Sequence, residues 1–243
     1  MRSINLWLLA LAFLLSGCDV VSQSEKQTYV CITFDDQHQS IFTVAYPLME
    51  QYGFSGTLFI NTSAVGSQLR LNWAQIDTMV NSSGWETGGH TLHHVELPEL
   101  TYEDAYDEIY LDYLNLVEQG LPHHSFALPS GHATEAQFGI ISEFYDNIRT
   151  SMNVRHYAPL DRLYLGYLPF QVGNDPDVLI GRIIEARENN EDLVILGFHS
   201  FEPAEDDDIS FCEPAHFQEI LEFISANNMT VLNIHEACEL LGE

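Results

Sequence analysis

From residue 29 to residue 241 the chain alternates short runs of β-branched and aromatic residues with longer segments of helical apolar spacing. No other feature restricts the fold as much. Strands are expected at residues 29–34 (YVCITF), 56–60, 85–87, 125–128 and 147–150. A weaker pair lies near 163–167 and 169–172, followed by 193–198 (LVILGF) and 230–233. Helices are expected at 41–52 with Ser40 as N-cap, at 73–80 after Asn72, and at 101–119 closed by Gly120. Further helices are expected at 134–144, 177–188, 214–226 and 234–241. The run 193–198 is apolar without alternation, as a strand buried on both faces should be. Repeated βα units cross over with one hand and give a parallel sheet, open or closed. No linker or internal repeat interrupts them, so a single α/β domain is expected. Such folds place their sites at the carboxyl ends of the strands. Polar clusters follow four of these strands: Asp35-Asp36, His90 to His94, Pro129-Ser130-Gly131 and His199.

The N-terminus reads differently. Residues 4–15 (INLWLLALAFLL) form an apolar run behind Arg2. A membrane span needs about 20 residues, so this run has the length of a signal-peptide core. Leu15-Ser16-Gly17-Cys18 follows and resembles a bacterial lipobox, in which Cys18 is lipidated and becomes the new N-terminus. The expected division is a signal peptide at 1–17, a polar tether at 18–28 and the domain at 29–243. The expected location is a bacterial membrane, facing the periplasm and touching the bilayer only through the lipid. Asp19 resembles an inner-membrane retention signal. Three thiols remain, so at least one stays unpaired. Cys31 sits inside an apolar strand and is expected as a buried hydrophobe. A Cys212–Cys238 disulfide is expected, with a pair including Cys31 as the alternative.

Charge limits the partners. Acids number 36 against 8 Lys+Arg, for a net charge of −28. Such a chain lacks the cations that nucleic-acid binding needs, and anionic surfaces repel it. Neutral or cationic partners remain, and a monomer is expected.

The strand-end residues suggest metal-assisted hydrolysis. Adjacent carboxylates at Asp35-Asp36 repel unless a cation offsets them, although a turn with a helix cap is the plainer reading. The four-residue spacing of His90 and His94 places both imidazoles on one face of a helical turn. Imidazole suits Zn²⁺ and similar cations. One Asp with two His makes a three-ligand set that leaves a position for water. The second Asp can accept that water's proton, and His199 can protonate a leaving group.

Four motifs then occur in a familiar order: Thr33-Phe34-Asp35-Asp36, Gly89-His90-Thr91-Leu92-His93-His94, Phe126-Ala127-Leu128-Pro129-Ser130-Gly131 and Leu196-Gly197-Phe198-His199. Together with 56–60 and Gly84-Trp85-Glu86, they resemble the polysaccharide deacetylase (NodB-homology) family, carbohydrate esterase family 4. The resemblance implies a distorted (β/α)7 barrel that removes acetyl groups from amino sugars of an acetylated, N-acetylglucosamine-containing glycan. O-acetyl xylan esterase action and a silent glycan-binding lipoprotein are the alternatives. By position it implies Asp35 as catalytic base, Asp36, His90 and His94 as metal ligands, and His199 as catalytic acid. It implies a groove wall of Phe126, Leu128, Pro129, Ser130 and Gly131. The implied metal is Zn²⁺, with Co²⁺ or another divalent ion as variants. Three departures stand out. Gln37 replaces the glycine usual after the Asp pair. Ala127 replaces the arginine that usually orients the base, with Arg149, Arg155 and Arg162 as candidate substitutes. No tryptophan motif precedes His199. The Phe-Ala-x-Pro-x-Gly form resembles the branch acting on poly-N-acetylglucosamine.

Overall fold

The computed structural model describes residues 26–151, 154–171, 173–203 and 211–242. The signal peptide, Cys18, Asp19 and the start of the tether lie outside the described residues. Strands β1 (Tyr29–Phe34), β2 (Thr57–Ile60), β3 (Glu86–Gly89), β4 (Ser125–Ala127), β5 (Asn147–Thr150), β6 (Leu165–Gly166), β7 (Leu168–Pro169), β8 (Leu193–Phe198) and β9 (Val231–Leu232) form one parallel sheet. Helices α1 (Tyr46–Tyr52), α2 (Trp73–Ser83), α3 (Tyr102–Glu118), α4 (Glu135–Ile141), α5 (Asp177–Glu188) and α6 (Pro214–Ala226) lie between the strands in sequence, and α7 (Ile234–Leu241) follows the last of them.

The strand order is β6-β5-β4-β3-β2-β1-β8-β7, with β9 also on β1. The two end strands, β6 and β7, are separated in sequence by Tyr167 alone. Such a sheet cannot lie flat. Its edges must meet at Tyr167, and it curls into the nearly closed, distorted (β/α)7 barrel implied by the motifs. Within the sheet, β8 pairs with all six residues of β1. Val30 and Cys31 also pair with β9, while Thr33 and Phe34 pair with β2.

Strand alternation sorts the side chains. Val30, Ile32 and Phe34 of β1 and Val194, Leu196 and Phe198 of β8 point outward, into a cluster shared with α1, α5 and α6. Cys31, Phe59, Ala127, Leu165, Leu193 and Ile195 point inward, into a second cluster closed below by α7. Asp35, Arg149, Gly197 and His199 have this inward parity. Phe34 is packed by Trp85 at 5.0 Å, Phe198 at 5.9 Å and Phe217 at 6.1 Å. Burying one such ring is worth about 1.5–3 kcal/mol, and here it anchors the residue before Asp35.

Several local expectations change. The helix after Asp35-Asp36 begins as a π-type stretch, Ile41–Ala45, before α1. Ser40 already has helical torsions and caps nothing; its Oγ accepts the Phe201 amide at 2.9 Å. Asn72, Thr101, Thr134 and Asn233 do cap their helices through side-chain oxygens. The expected Cys212–Cys238 disulfide does not form. Cys31, Cys212 and Cys238 are all free and buried. Cys212 belongs to the outer cluster, while Cys238 lies in the inner one with Cys31. No helix of the described residues is long and apolar enough to cross a membrane.

Candidate active site

At the carboxyl end of β1 the chain makes a tight reversal. Asp36 and Gln37 have φ of 64° and 38°. This left-handed region costs a non-glycine residue about 1–2 kcal/mol, so the surroundings must hold the turn. They do so from both sides. Arg70 Nη1 donates to the Asp36 carbonyl at 2.6 Å, and the Leu71 amide donates to the Gln37 carbonyl at 2.8 Å.

The segment His90 to His94 follows β3 and is not a helical turn. Thr91 and His94 have φ of 65° and 56°, which breaks the expected helix. The two imidazoles still converge, with ring centroids 5.0 Å apart at 69°. Helix α3 shapes this loop. Asp112 accepts the His90 amide at 3.0 Å and the Thr62 amide at 3.1 Å. One turn earlier, Glu108 takes the His93 amide at 2.9 Å and His93 Nδ1 at 2.7 Å, and its own carbonyl takes the Leu92 amide. His93 therefore turns away from the pair that flanks it. Burial pushes the Asp112 carboxyl up to about 7, against the pull of its Thr62 and His90 hydrogen bonds.

Asp36, His90 and His94 offer three ligand atoms within 4.8 Å of one another. Asp36 Oδ1 lies 3.8 Å from His90 Nε2 and 3.5 Å from His94 Nε2. His90 Nδ1 donates to the Ala127 carbonyl at 2.7 Å, which leaves the Nε2 lone pair facing Asp36. Burial also pushes the His90 pKa down, against the carboxylates of Asp35 and Asp36, and favours the neutral ring that a cation requires. Asp36 Oδ1 is buried and has no hydrogen-bond partner among the described residues. An orphaned carboxylate oxygen beside two imidazole nitrogens is the donor set of a divalent cation, and these residues fit one.

Asp35 lies beside this triad. Arg149 Nη2, from β5, donates to both of its oxygens at 2.7 and 2.6 Å. Burial raises the Asp35 pKa, but Arg149, with His199 and His90, outweighs it and holds the carboxyl below its ordinary value. The guanidinium is sandwiched between the rings of Tyr167 at 3.7 Å and Phe59 at 4.8 Å. Tyr167 is the residue at which the barrel closes. Gly197 makes room for it, because a Cβ there would run into the Tyr167 ring. His199 Nε2 approaches Asp35 Oδ2 from β8 at 3.7 Å, and its Nδ1 is buried without a hydrogen-bond partner among the described residues.

Of the three arginines considered in place of Ala127, Arg149 reaches Asp35. Arg155 pairs with Glu185 and Glu191, and Arg162 with Glu239. The expected groove wall is only partly a surface. Phe126 and Leu128 have outward parity and pack with Tyr145, Ile140 and Ile148, and Pro129 is buried as well. Ser130 is exposed and Gly131 half-buried, so only those two of the five present surface. Sequence reasoning passed over Tyr167, Asn61, Glu108 and Asp112. Asp112 did leave a signal, since it sits on the buried stripe of α3 with Ala105, Ile109 and Leu116.

Residues 22–143, half of the chain, match the family model for polysaccharide deacetylase. A Bacillus subtilis (strain 168) protein, YxkH, provisionally named a polysaccharide deacetylase, is 30% identical over 92 residues. That stretch is 37% of this chain and 33% of YxkH, so the chain spans a third of that relative's length. Among solved structures, wild-type BA3943 of Bacillus anthracis, a pseudoenzyme of carbohydrate esterase family 4, superposes with a TM-score of 0.61. The identity is 14%, over 88% of this chain and 66% of that one. The Xyl-CE4 domain of a multidomain xylanase from the hindgut metagenome of Trinervitermes trinervoides also gives 0.61, at 16% identity over 89% and 92%. A family 4 acetyl xylan esterase from Clostridium thermocellum, solved with a cobalt ion, gives 0.60, at 17% identity over 88% and 91%. At these identities the likeness concerns the fold.

Proposed function

Because the chain belongs to the polysaccharide deacetylase family, whose hydrolases act on acetyl groups, we propose that it is a metal-dependent N-deacetylase of an N-acetylglucosamine-containing glycan. The observation that carries this reading is a cluster. Asp36, His90 and His94 converge, with Asp35 and His199 beside them at the barrel mouth. Asp36, His90 and His94 would hold a divalent cation, with Zn²⁺ or Co²⁺ suited to one carboxylate and two imidazoles. When bound, such a cation supplies Lewis acidity, which polarises an acyl carbonyl and acidifies water.

The chain's own residues do the rest. Asp35, kept ionised by Arg149, accepts the proton of the attacking water. Arg149 fixes both Asp35 oxygens, so the base keeps one orientation through the step. His199, in its protonated form, gives a proton from Nε2 to the departing nitrogen. An amine leaves poorly without that proton, so the acetamide reading needs an acid beside the base, and His199 supplies it. The glucosamine product is cationic, and a chain with a net charge of −28 attracts it.

The test is acetate release from an N-acetylglucosamine oligomer and from acetylated xylan, with and without chelator. Release from the amino sugar, lost with chelator and restored by Zn²⁺ or Co²⁺, is expected. Release from xylan alone would replace the proposal with esterase action. A second reading is a silent glycan-binding protein, favoured by His199 Nδ1, which has no hydrogen-bond partner among the described residues. Binding of the oligomer with no acetate from either substrate would establish it. Lipidation at Cys18, facing the periplasm, belongs to the same proposal; Cys18→Ser should move the chain from the membrane to the soluble fraction.

A further inference from the structure

Gln37 is fully buried and left-handed, a combination that elsewhere in proteins calls for glycine. Both ends of its amide are used. Nε2 donates to the Asn61 carbonyl at 2.8 Å, and Oε1 accepts the Asn61 amide at 3.0 Å. Asn61 follows β2, and its own Nδ2 donates to the His90 carbonyl at 2.6 Å. A continuous path of buried hydrogen bonds therefore runs from the residue after Asp36, across the end of β2, to His90. Asp36 and His90 follow β1 and β3, which are not neighbours in the sheet. Two strand spacings of about 4.8 Å separate those strands, and the intervening strand end must set how the loops lean together.

We propose that Gln37 is a positioning residue for the cation site, a glutamine clamp acting through Asn61 to set the separation of Asp36 from His90. This rests on the reading of Asp36, His90 and His94 as the ligands. A filler residue and a clamp differ in sign. If Gln37 only fills space at the cost of strain, Gln37→Gly relaxes the turn and leaves affinity equal or better. If it clamps, the same substitution frees the two ligand-bearing loops from each other. Gln37→Met keeps the length and the strained backbone but removes both hydrogen bonds.

The experiment is Co²⁺ affinity by chelator competition for wild type, Gln37→Gly and Gln37→Met, with the metal-induced rise in Tm as an independent readout. Partners of metal ligands typically affect affinity by about 10- to 100-fold, and both variants are expected to weaken by that amount, with smaller Tm rises. Either variant binding as tightly as wild type overturns the clamp while leaving the cation site standing. A wild type that binds no Co²⁺ overturns both. Should either variant fail to fold, Asn61→Ala replaces it, removing the amide that reaches His90, with the same outcomes on either side.

Discussion

Replacing Arg149 by methionine is the most searching perturbation of the site. Arg149 and Asp35 have side chains only 2% and 3% exposed, so neither can turn to water when the other is lost. Removing one member of a buried, hydrogen-bonded pair costs about 3–5 kcal/mol, because the survivor is left charged and unpaired. Against a total stability of about 5–15 kcal/mol this is a large fraction, equivalent to a fall in Tm of roughly 6 to 20 °C. The loss should depend on pH in a defined direction. In the wild type, Arg149 holds the Asp35 carboxyl below its ordinary value. Its contribution is complete above the unfolded value of about 3.9 and fades as pH falls through the folded one. In the variant, burial is no longer outweighed and Asp36 adds repulsion, so the Asp35 pKa rises and stability declines as pH increases. The gap between the two proteins therefore widens from pH 4.5 to pH 7.5. Urea unfolding at both pH values, with chelator present, reads this directly. The acid limb of kcat/KM should move to higher pH in the same variant. Arg149→Lys keeps the charge but loses the planar stack between Tyr167 and Phe59, and should fall between the two. A gap that stays constant with pH, together with an unmoved acid limb, would refute the assigned role of Arg149.

The other expectations concern neighbouring groups. Asp36→Ala should abolish Co²⁺ binding and lower acetate release about a thousandfold or more, whereas His93→Ala, whose ring faces Glu108, should change affinity by less than about threefold; isothermal titration separates the two. Asp112, raised to about 7, binds a proton in the folded state that the unfolded chain releases near 4, so its contribution to stability declines as pH rises from about 4 to about 7. Asp112→Asn should flatten that slope in thermal melts across the interval, and an unchanged slope would exclude the assignment. Gly197→Ala drives a methyl into the Tyr167 ring where the barrel closes. It should cost about 1–3 kcal/mol in urea unfolding and lower the rate with it, and a neutral result would mean that the seam yields freely.

Much of this protein could be read without coordinates, because the information is local. Strand and helix periodicity placed β1, β5, β8, α5, α6 and α7 at their observed bounds, since a buried strand and an amphipathic helix declare themselves through neighbours a few residues away. Asp35-Asp36 and His90 with His94 were visible for the same reason: each pair is short-range. The parity of Phe126 and Leu128 was also written in the sequence of β4 and the residue after it, where alternation with Ala127 turns them outward, and the expected groove wall overlooked it.

What remained hidden depends on residues far apart in sequence. Asp35 and Arg149 stand 114 positions from each other. No local pattern could choose Arg149 over Arg155 or Arg162, because the choice depends on which strand lies across the barrel from β1. The helical reading of His90 to His94 failed because α3 takes the loop's amides, a tertiary force stronger than spacing. The Cys212–Cys238 pairing failed because the sheet separates the two thiols into different clusters. Sequence determined which chemical groups this chain brings and at which strand ends they emerge. Closure of the sheet at Tyr167 decided which of them face one another: β8 already neighbours β1, but only a curved sheet brings β5, four strands away, within reach of the carboxylates that follow β1.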